Sequence, residues 1–168
     1  MQRRLINTVL FISAATYTII MVLLLFFVRR GGPGMVSSNF TPFLEIRRYL
    51  FGNDIPTRLV IINLLGNIVM FIPLGIYLRL LFRQKTALIS IVLVAMTSVT
   101  VEFTQLYFAL GSCDIDDVIL NTIGGAVGVG LFALLERFSG TEERFRYIIT
   151  FFAAACSIAA VTGWIYIY

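Results

Sequence analysis

Five apolar stretches, each long enough to cross the ~30 Å hydrocarbon core of a bilayer as a helix, constrain this chain more than any other feature. They are Leu5–Val28, Leu59–Phe82, Thr86–Leu110, Val118–Leu135 and Tyr147–Tyr168. A backbone in lipid must satisfy its own hydrogen bonds, and a helix does so within one segment. The sequence therefore predicts an all-α fold, a polytopic transmembrane helical bundle of about five spans.

Composition supports a membrane protein and limits the other classes. Of 168 residues, 59% are hydrophobic and 13% charged, which leaves room for a single domain over residues 1–168. The net charge is +4, and its basic residues flank the apolar stretches, where membrane topology explains them, so we predict no nucleic-acid partner. The chain has no histidine, which excludes a Ser-His-Asp triad and an imidazole-bound zinc.

The distribution of basic residues predicts the orientation. Eight of the thirteen precede the first stretch or lie in alternate connections, at Arg3, Arg4, Arg79, Arg83, Lys85, Arg137, Arg144 and Arg146. The other five lie in the first external connection and weaken this bias without reversing it: Arg29, Arg30, Arg47, Arg48 and Arg58. The connection Gly111–Asp117 has three aspartates and no basic residue. Because cytoplasmic connections are enriched in Lys and Arg, we predict a multi-pass protein of the cell membrane with a cytoplasmic N-terminus.

The first external connection contains a short amphipathic run. Its apolar residues alternate with Glu45, Arg47 and Arg48 from Phe43 to Phe51. Such a pattern suits a helix in the headgroup layer, which would cover a site below it. The alternative is an irregular loop with scattered apolar residues.

An acidic residue, Glu102, lies inside the third apolar stretch, where a charge costs ~2.5–3.5 kcal/mol and usually serves a function. Other polar residues form pairs three or four apart, so that each pair shares a helix face. These pairs are Asn63 with Asn67, Glu102 with Gln105, and Asp117 with Asn121. Counting ~1.5 Å of rise per residue places all three near the outer ends of their helices. We therefore predict one polar pocket, the alternative being hydrogen bonds that only hold helices together, at ~0.6 kcal/mol each.

Three carboxylates, Asp114, Asp116 and Asp117, fall within four positions of the turn before the fourth stretch. They form a candidate oxygen-ligand set for Mg²⁺ or Ca²⁺. The alternatives are that Asp117 caps the fourth helix and that the other two are solvated. Further along, the spacing of Gly124 and Gly128 indicates close helix packing, or space for a lipid chain.

Four motifs extend in order through most of the chain, from Asn39 to about Leu131. They are Asn39-x-Thr41-Pro42-Phe43, Asn67-x-x-x-Phe71-x-Pro73-x-Gly75, Glu102-x-x-Gln105 and Asp114-Ile115-x-Asp117-Val118-Ile119-x-Asn121-Thr122-x-Gly124-Gly125. With them the chain resembles the VanZ family of small bacterial membrane proteins. The resemblance implies a polytopic membrane protein, and the founding member of the family is associated with low-level resistance to teicoplanin, a lipid-tailed glycopeptide.

Our leading prediction is a non-enzymatic membrane protein with an outward-facing polar pocket. It would bind a lipid headgroup or a lipid-linked envelope intermediate and contribute to glycopeptide resistance of the teicoplanin type. The arginines would hold phosphate, and the acid and amides would hold hydroxyl or amide groups. The predicted ligand-binding residues are Asn39, Arg47, Arg48, Asn63, Asn67, Glu102, Gln105 and Asn121.

The alternative is a membrane-embedded enzyme that acts on a lipid-linked envelope substrate. Its candidate catalytic residues are Glu102, as general acid or base, and Asp114 and Asp117, which would hold a divalent ion. Proton-coupled transport through Glu102 is disfavoured, because five short stretches contain no internal repeat.

Overall fold

The structure is a computed structural model. It describes the backbone of residues 2–28, 38–51, 57–110 and 113–167, and the side chains of residues 4–26, 38–51, 63–110, 113–152 and 154–155. The elements follow one another as α1 (Gln2–Leu23), a π-helical continuation (Leu24–Val28), β1 (Ser38–Asn39), α2 (Leu44–Phe51), α3 (Thr57–Leu81), α4 (Ala87–Tyr107), β2 (Cys113–Asp114), α5 (Ile115–Ser139) and α6 (Glu142–Ile167). Part of the predicted first external connection, and Gly111 and Ser112 of the predicted aspartate turn, lie outside the described residues.

The helices confirm the all-α, multi-pass fold. Four of them are long and apolar enough to cross a membrane within the part of the chain that is described, at Arg4–Phe26, Asn63–Leu81, Ala87–Tyr107 and Ile115–Ser139. The fifth predicted stretch lies within α6 as far as Ile167, and Tyr168 lies outside the described residues. Its assignment as a fifth span, and the cytoplasmic N-terminus, stay predictions.

The chain divides into two compact groups, residues 1–28 with 130–168, and residues 29–129. In the first group α1 packs against α6. Its core is mostly apolar, with Ser13 and Ser139 also buried. The rings of Phe132 and Phe145 meet edge to face at a centroid distance of 5.0 Å, and the Tyr17 hydroxyl donates to the Met21 sulfur at 3.1 Å. The prediction of a single domain over residues 1–168 stays a prediction.

In the second group, α3 packs against α4, and Arg79 closes the turn between them. Its guanidinium Nη1 donates to the carbonyl oxygens of Phe82, Arg83 and Lys85 at 3.0–3.1 Å. These three carbonyls belong to the turn that follows α3, which ends at Leu81, so Arg79 reaches from the last turn of the helix into the connection. Arg79, which the sequence suggested as a topology signal, therefore also shapes the connection.

Glycines bring α5 against α3 and α4. A Cβ atom added to Gly124 or Gly128 would collide with the backbone carbonyl of Ile68 or Ile72 in α3, and one added to Gly125 would collide with Val94 in α4. The close packing predicted from the glycine spacing is therefore present, because only a residue without a side chain fits at these contacts.

Candidate functional site

The end of α4 turns the chain back toward its own last turns. Ala109, in the left-handed region at φ 51°, donates its N–H to Leu106 O, and the Leu110 N–H reaches Gln105 O at 2.9 Å. This pair of bonds is the Schellman ending, in which glycine is the commonest residue at the left-handed position. Beyond this ending, Asp114 lies against Glu102 of the same helix.

Glu102 forms a hydrogen bond with the segment that precedes α5. Its carboxylate oxygen Oε2 accepts the backbone N–H of Asp114 at 2.9 Å, and Glu102 itself is only 4% exposed. β2, which contains Asp114, pairs in parallel with β1, so that Asn39 lies opposite Asp114. The Asn39 amide Nδ2 donates to Asp114 Oδ1 at 3.2 Å, and Asn39 Oδ1 accepts the Thr41 N–H. The motif around Asn39 is thus joined to the aspartate motif.

Asp114 also caps α5. Its Oδ1 accepts the N–H of Asp116 at 2.9 Å, the second residue of a helix that begins at Ile115. A side-chain oxygen just before a helix that bonds the second N–H is an N-cap. The suggestion that Asp117 caps this helix is therefore wrong, because the helix begins two residues before it.

Asp116 holds the start of α2. Its carboxylate accepts three backbone N–H groups, from Phe43 at 2.5 Å through Oδ1 and from Glu45 and Ile46 at 2.8 and 3.0 Å through Oδ2. The first N–H groups of a helix have no partner within it and attract negative charge. Asp116 is 1% exposed, so the suggestion that it is merely solvated is wrong.

Asn67 joins the same region from α3. Its amide Nδ2 donates to Asp117 Oδ1, and the side chain is fully buried. Carboxylate and amide groups from β1, α3, α4, β2 and α5 therefore meet at the start of α5. We call this set the polar cluster: Asn39, Asn67, Glu102, Asp114, Asp116 and Asp117.

The remaining predicted ligand-binding residues lie beside or outside this cluster. Asn63 Nδ2 donates to the Tyr49 hydroxyl of α2 at 3.2 Å, and Gln105 is buried one turn after Glu102. Asn121 Nδ2 donates to Ser98 Oγ at 2.8 Å, one turn before Glu102 in α4. Arg47 and Arg48 are exposed on α2, where Arg48 pairs with Glu45 at 3.6 Å.

The electrostatics reflect the excess of acids. Burial, and then the charges of Asp117, Asp116 and Glu45, raise the pKa of Asp114 to about 6, against the lowering effect of its bond to the Asp116 N–H. Burial and the charges of Glu102 and Asp114 also raise the pKa of the Cys113 thiol. The thiol is therefore protonated at neutral pH and is a poor nucleophile.

The three aspartates do not form a metal centre in the described part of the chain. Among those residues, no three His, Cys, Asp or Glu side chains are placed so that they could hold a metal ion. The reason lies in how the carboxylates are used, since both oxygens of Asp116 accept backbone N–H groups and Asp114 Oδ1 caps α5.

The polar cluster is rich in hydrogen-bond acceptors. Besides the four carboxylates, Asn67 Oδ1 is buried without a hydrogen-bond partner among the described residues. Its amide orientation follows from the chemistry, because turning it over would place its oxygen against the Asp117 carboxylate. An arrangement of this kind favours groups that donate hydrogen bonds, such as hydroxyl, amide or ammonium.

Sequence reasoning missed two contacts at this site. Tyr49 lies within the amphipathic run from Phe43 to Phe51, whose pattern does not mark it as a polar contact, although its hydroxyl accepts from Asn63. Ser98 was not singled out, although it is fully buried one turn from Glu102. The spacing of buried polar residues along α4 could have found Ser98, since positions 98 and 102 share a helix face.

Comparisons with known proteins agree with this arrangement of motifs. The model of the VanZ/LLP1 family matches residues 13–136. Protein VanZ of Enterococcus faecium is 36% identical over 113 residues, which cover 67% of this chain and 63% of that protein. The chain thus matches less than two thirds of the length of this relative, and no solved structure matches it. Since the family model covers most of the sequence, the chain belongs to the VanZ/LLP1 family.

Proposed function

We propose that this protein binds the headgroup of a membrane lipid, or of a lipid-linked envelope intermediate, at the polar cluster on the outer side of the cell membrane. Through this binding it contributes to resistance to glycopeptides of the teicoplanin type. Membership of the VanZ/LLP1 family supports the part of the proposal that concerns resistance. The binding part depends on the cluster itself.

The observation that carries the proposal is the meeting of acids and amides from five elements around Glu102. Holding helices together does not require a buried acid, because amide and hydroxyl side chains do so at lower cost. A ligand that donates hydrogen bonds would gain the most from Glu102, Asp117 and Asn67 Oδ1. A headgroup with hydroxyl, amide or ammonium groups has this chemistry.

Phosphate, if the headgroup carries one, requires a different partner, since carboxylates repel it. Arg47 and Arg48 supply positive charge on α2, and α2 is joined to the cluster through Asp116 and through the contact between Tyr49 and Asn63. Guanidinium groups bind phosphate with two parallel hydrogen bonds. Because these arginines lie on the exposed side of α2, the phosphate of the ligand would lie outside the polar cluster, at the outer surface of this helix.

Glu102→Gln tests the proposal, because glutamine keeps an oxygen for the Asp114 N–H and removes the charge. In a host without a homologue, this variant should lose most of the increase in the inhibitory concentration of teicoplanin at unchanged membrane abundance. Glu143→Gln, the same change at an exposed residue of α6, is the matched control and should keep it. Full resistance with Glu102→Gln would refute the role of the cluster.

A second candidate, catalysis on a lipid-linked substrate, is favoured by one observation. The Asp114 carboxyl has a pKa raised to about 6, which suits a group that exchanges a proton near neutral pH. Mass spectrometry of envelope lipids from cells with and without the protein separates the two functions. A binding protein leaves the covalent lipid species unchanged, whereas an enzyme converts one species into another.

A further inference from the structure

Helix α2 presents a face that combines apolar and basic side chains. Leu44, Arg47, Arg48, Leu50 and Phe51 are exposed, with Phe51 78% exposed. At 100° per residue these five positions fall on one side of the helix, and the three less exposed residues fall on the other. An exposed helix face in water is usually polar, whereas leucine, phenylalanine and arginine together are typical of a helix in the headgroup layer.

The opposite side of α2 is held by the protein. Glu45, Ile46 and Tyr49 on this side are half-buried, and the Tyr49 hydroxyl accepts from Asn63. Asp116 fixes the start of the helix by accepting the N–H groups of Glu45 and Ile46. Burial, and then the charges of Glu45, Asp117 and Asp114, raise the pKa of Tyr49. Tyr49 therefore faces the acids of the polar cluster, and Leu44, Arg47 and Arg48 point away from it.

The same contacts set the level of α2 relative to the membrane. Asp116 lies in the first turn of α5, which is one of the four helices that can cross the bilayer. A helix whose first N–H groups bond that residue lies at the membrane end of a span. Interfacial helices lie at this level, with the apolar face ~5–10 Å into the boundary between headgroups and acyl chains.

The residue before α2 supports this placement. Phe43 has φ 64°, in the left-handed region that favours glycine over a residue with a Cβ atom. Its backbone is fixed by the bond from its N–H to Asp116 Oδ1, while the ring is 60% exposed beside the similarly exposed Phe40. Exposed phenylalanine rings just before α2 add to its apolar surface, and phenylalanine is one of the residues found on the apolar face of interfacial helices.

We propose that the outward face of α2 (Leu44, Arg47, Arg48, Leu50 and Phe51) docks on anionic phospholipids of the surrounding leaflet. The arginines contact the phosphates, and the leucines and the phenylalanine enter the acyl boundary. Charge decides the partner, since α2 carries two arginines against one acid, Glu45, and Arg47 keeps its positive charge while Glu45 pairs with Arg48. This inference goes beyond the proposed function, because it holds whether or not a ligand occupies the polar cluster.

A nitroxide spin label at position 50 tests the docking. The variant Leu50→Cys is made in the full chain with Cys113→Ser and Cys156→Ser and reconstituted into vesicles of phosphatidylcholine with or without phosphatidylglycerol. With phosphatidylglycerol, the label should be more accessible to oxygen, which dissolves in acyl chains, than to a water-soluble nickel chelate. A label at Gln84, in the exposed turn after α3, serves as the aqueous reference.

Substitution of Arg47 and Arg48 in the labelled protein is the second part of the test. In Arg47→Gln/Arg48→Gln, the preference of the label for the acyl boundary should fall by about fivefold for each arginine removed, as expected from ~1 kcal/mol per basic residue near an anionic surface. Arg137→Gln/Arg144→Gln removes the same charge from exposed residues of α5 and α6 and should leave the label at position 50 unchanged.

Three results would overturn the proposal. Access to the nickel chelate in both kinds of vesicle would place α2 in water. Protection from both reagents would mean that protein covers this face. A depth that responds neither to phosphatidylglycerol nor to the two arginines would exclude anionic lipid as the partner. None of these results affects the Glu102→Gln test, which reports on the cluster alone.

Discussion

Helix α5 contacts its neighbours in two different ways along its length. In its first two turns, three polar residues each hold a different element: Asp116 holds α2, Asp117 holds Asn67 of α3, and Asn121 holds Ser98 of α4. In the next two turns, glycines let the backbones of α3 and α5 approach closely. The first region depends on matched donors and acceptors, and the second depends on the absence of side chains.

The difference shows where this fold can vary and where it cannot. A polar contact in a membrane contributes modestly to stability, ~0.6 kcal/mol on average, and can be altered by an isosteric change. A glycine contact has no such variant, because any Cβ atom meets backbone that cannot move by itself. We therefore expect stability to depend mainly on the glycines and function mainly on the polar cluster.

Gly124→Ala should have the largest effect on stability. The new Cβ atom would collide with the carbonyl of Ile68, and we expect a loss of about 1–3 kcal/mol in the free energy of unfolding. The controls are Gly66→Ala and Gly130→Ala, where no atom lies within 4 Å of the new Cβ, and they should gain about 0.5–1 kcal/mol from better helix propensity. Unfolding in detergent measures all three, and equal stability of Gly124→Ala and Gly130→Ala would remove the steric argument.

Asp116→Ala should have the next largest effect, concentrated in α2. Three backbone N–H groups lose a charged acceptor, so we expect a loss of about 2 kcal/mol and faster hydrogen exchange at Phe43, Glu45 and Ile46. Glu143→Ala removes an exposed acid and should change neither measurement. Unchanged exchange in α2 after the loss of Asp116 would contradict its role as the tether of this helix.

Asp114→Asn should have an effect on stability that depends on pH. The folded protein raises the pKa of Asp114 from 3.8 to about 6, so it binds this proton more tightly than the unfolded chain does. The stabilisation from this proton is fully present below pH 3.8, and it is lost as the pH rises through about 6. Subtracting the melting temperature of Asp114→Asn from that of the wild type isolates this fall, and a difference that stays flat from pH 4 to 8 would show that Asp114 titrates normally.

Much of this architecture could be predicted from the sequence, since apolar length defines membrane helices directly. The helix faces were also accessible, because a spacing of three or four residues places side chains together in any helix. Depth counting brought Asn67 and the start of α5 to one level, and the two are joined through Asp117. The binding of a ligand by these residues stays a prediction.

Other features of the cluster could not be predicted for physical reasons. An apolar run marks contact with lipid and does not mark the first hydrogen bond of a helix, so the run from Val118 places the start of α5 three residues late. The partners of Asp116 are backbone N–H groups some 70 positions earlier in the chain. Every residue except proline has a backbone N–H, so the sequence does not show which N–H groups a carboxylate will bond. Without that information, three aspartates close together in the sequence suggest a metal site.

The pairing of β1 with β2 has a consequence for how the protein is made. Asn39 leaves the ribosome 75 residues before its partner Asp114, and two complete membrane helices are synthesised in the interval. The segment that includes β1 and α2 therefore cannot form its contacts with Asp114 and Asp116 until the start of α5 has been synthesised. A nascent chain arrested before that point would have inserted helices but no assembled site, so assembly of the site can serve as a marker of late biogenesis.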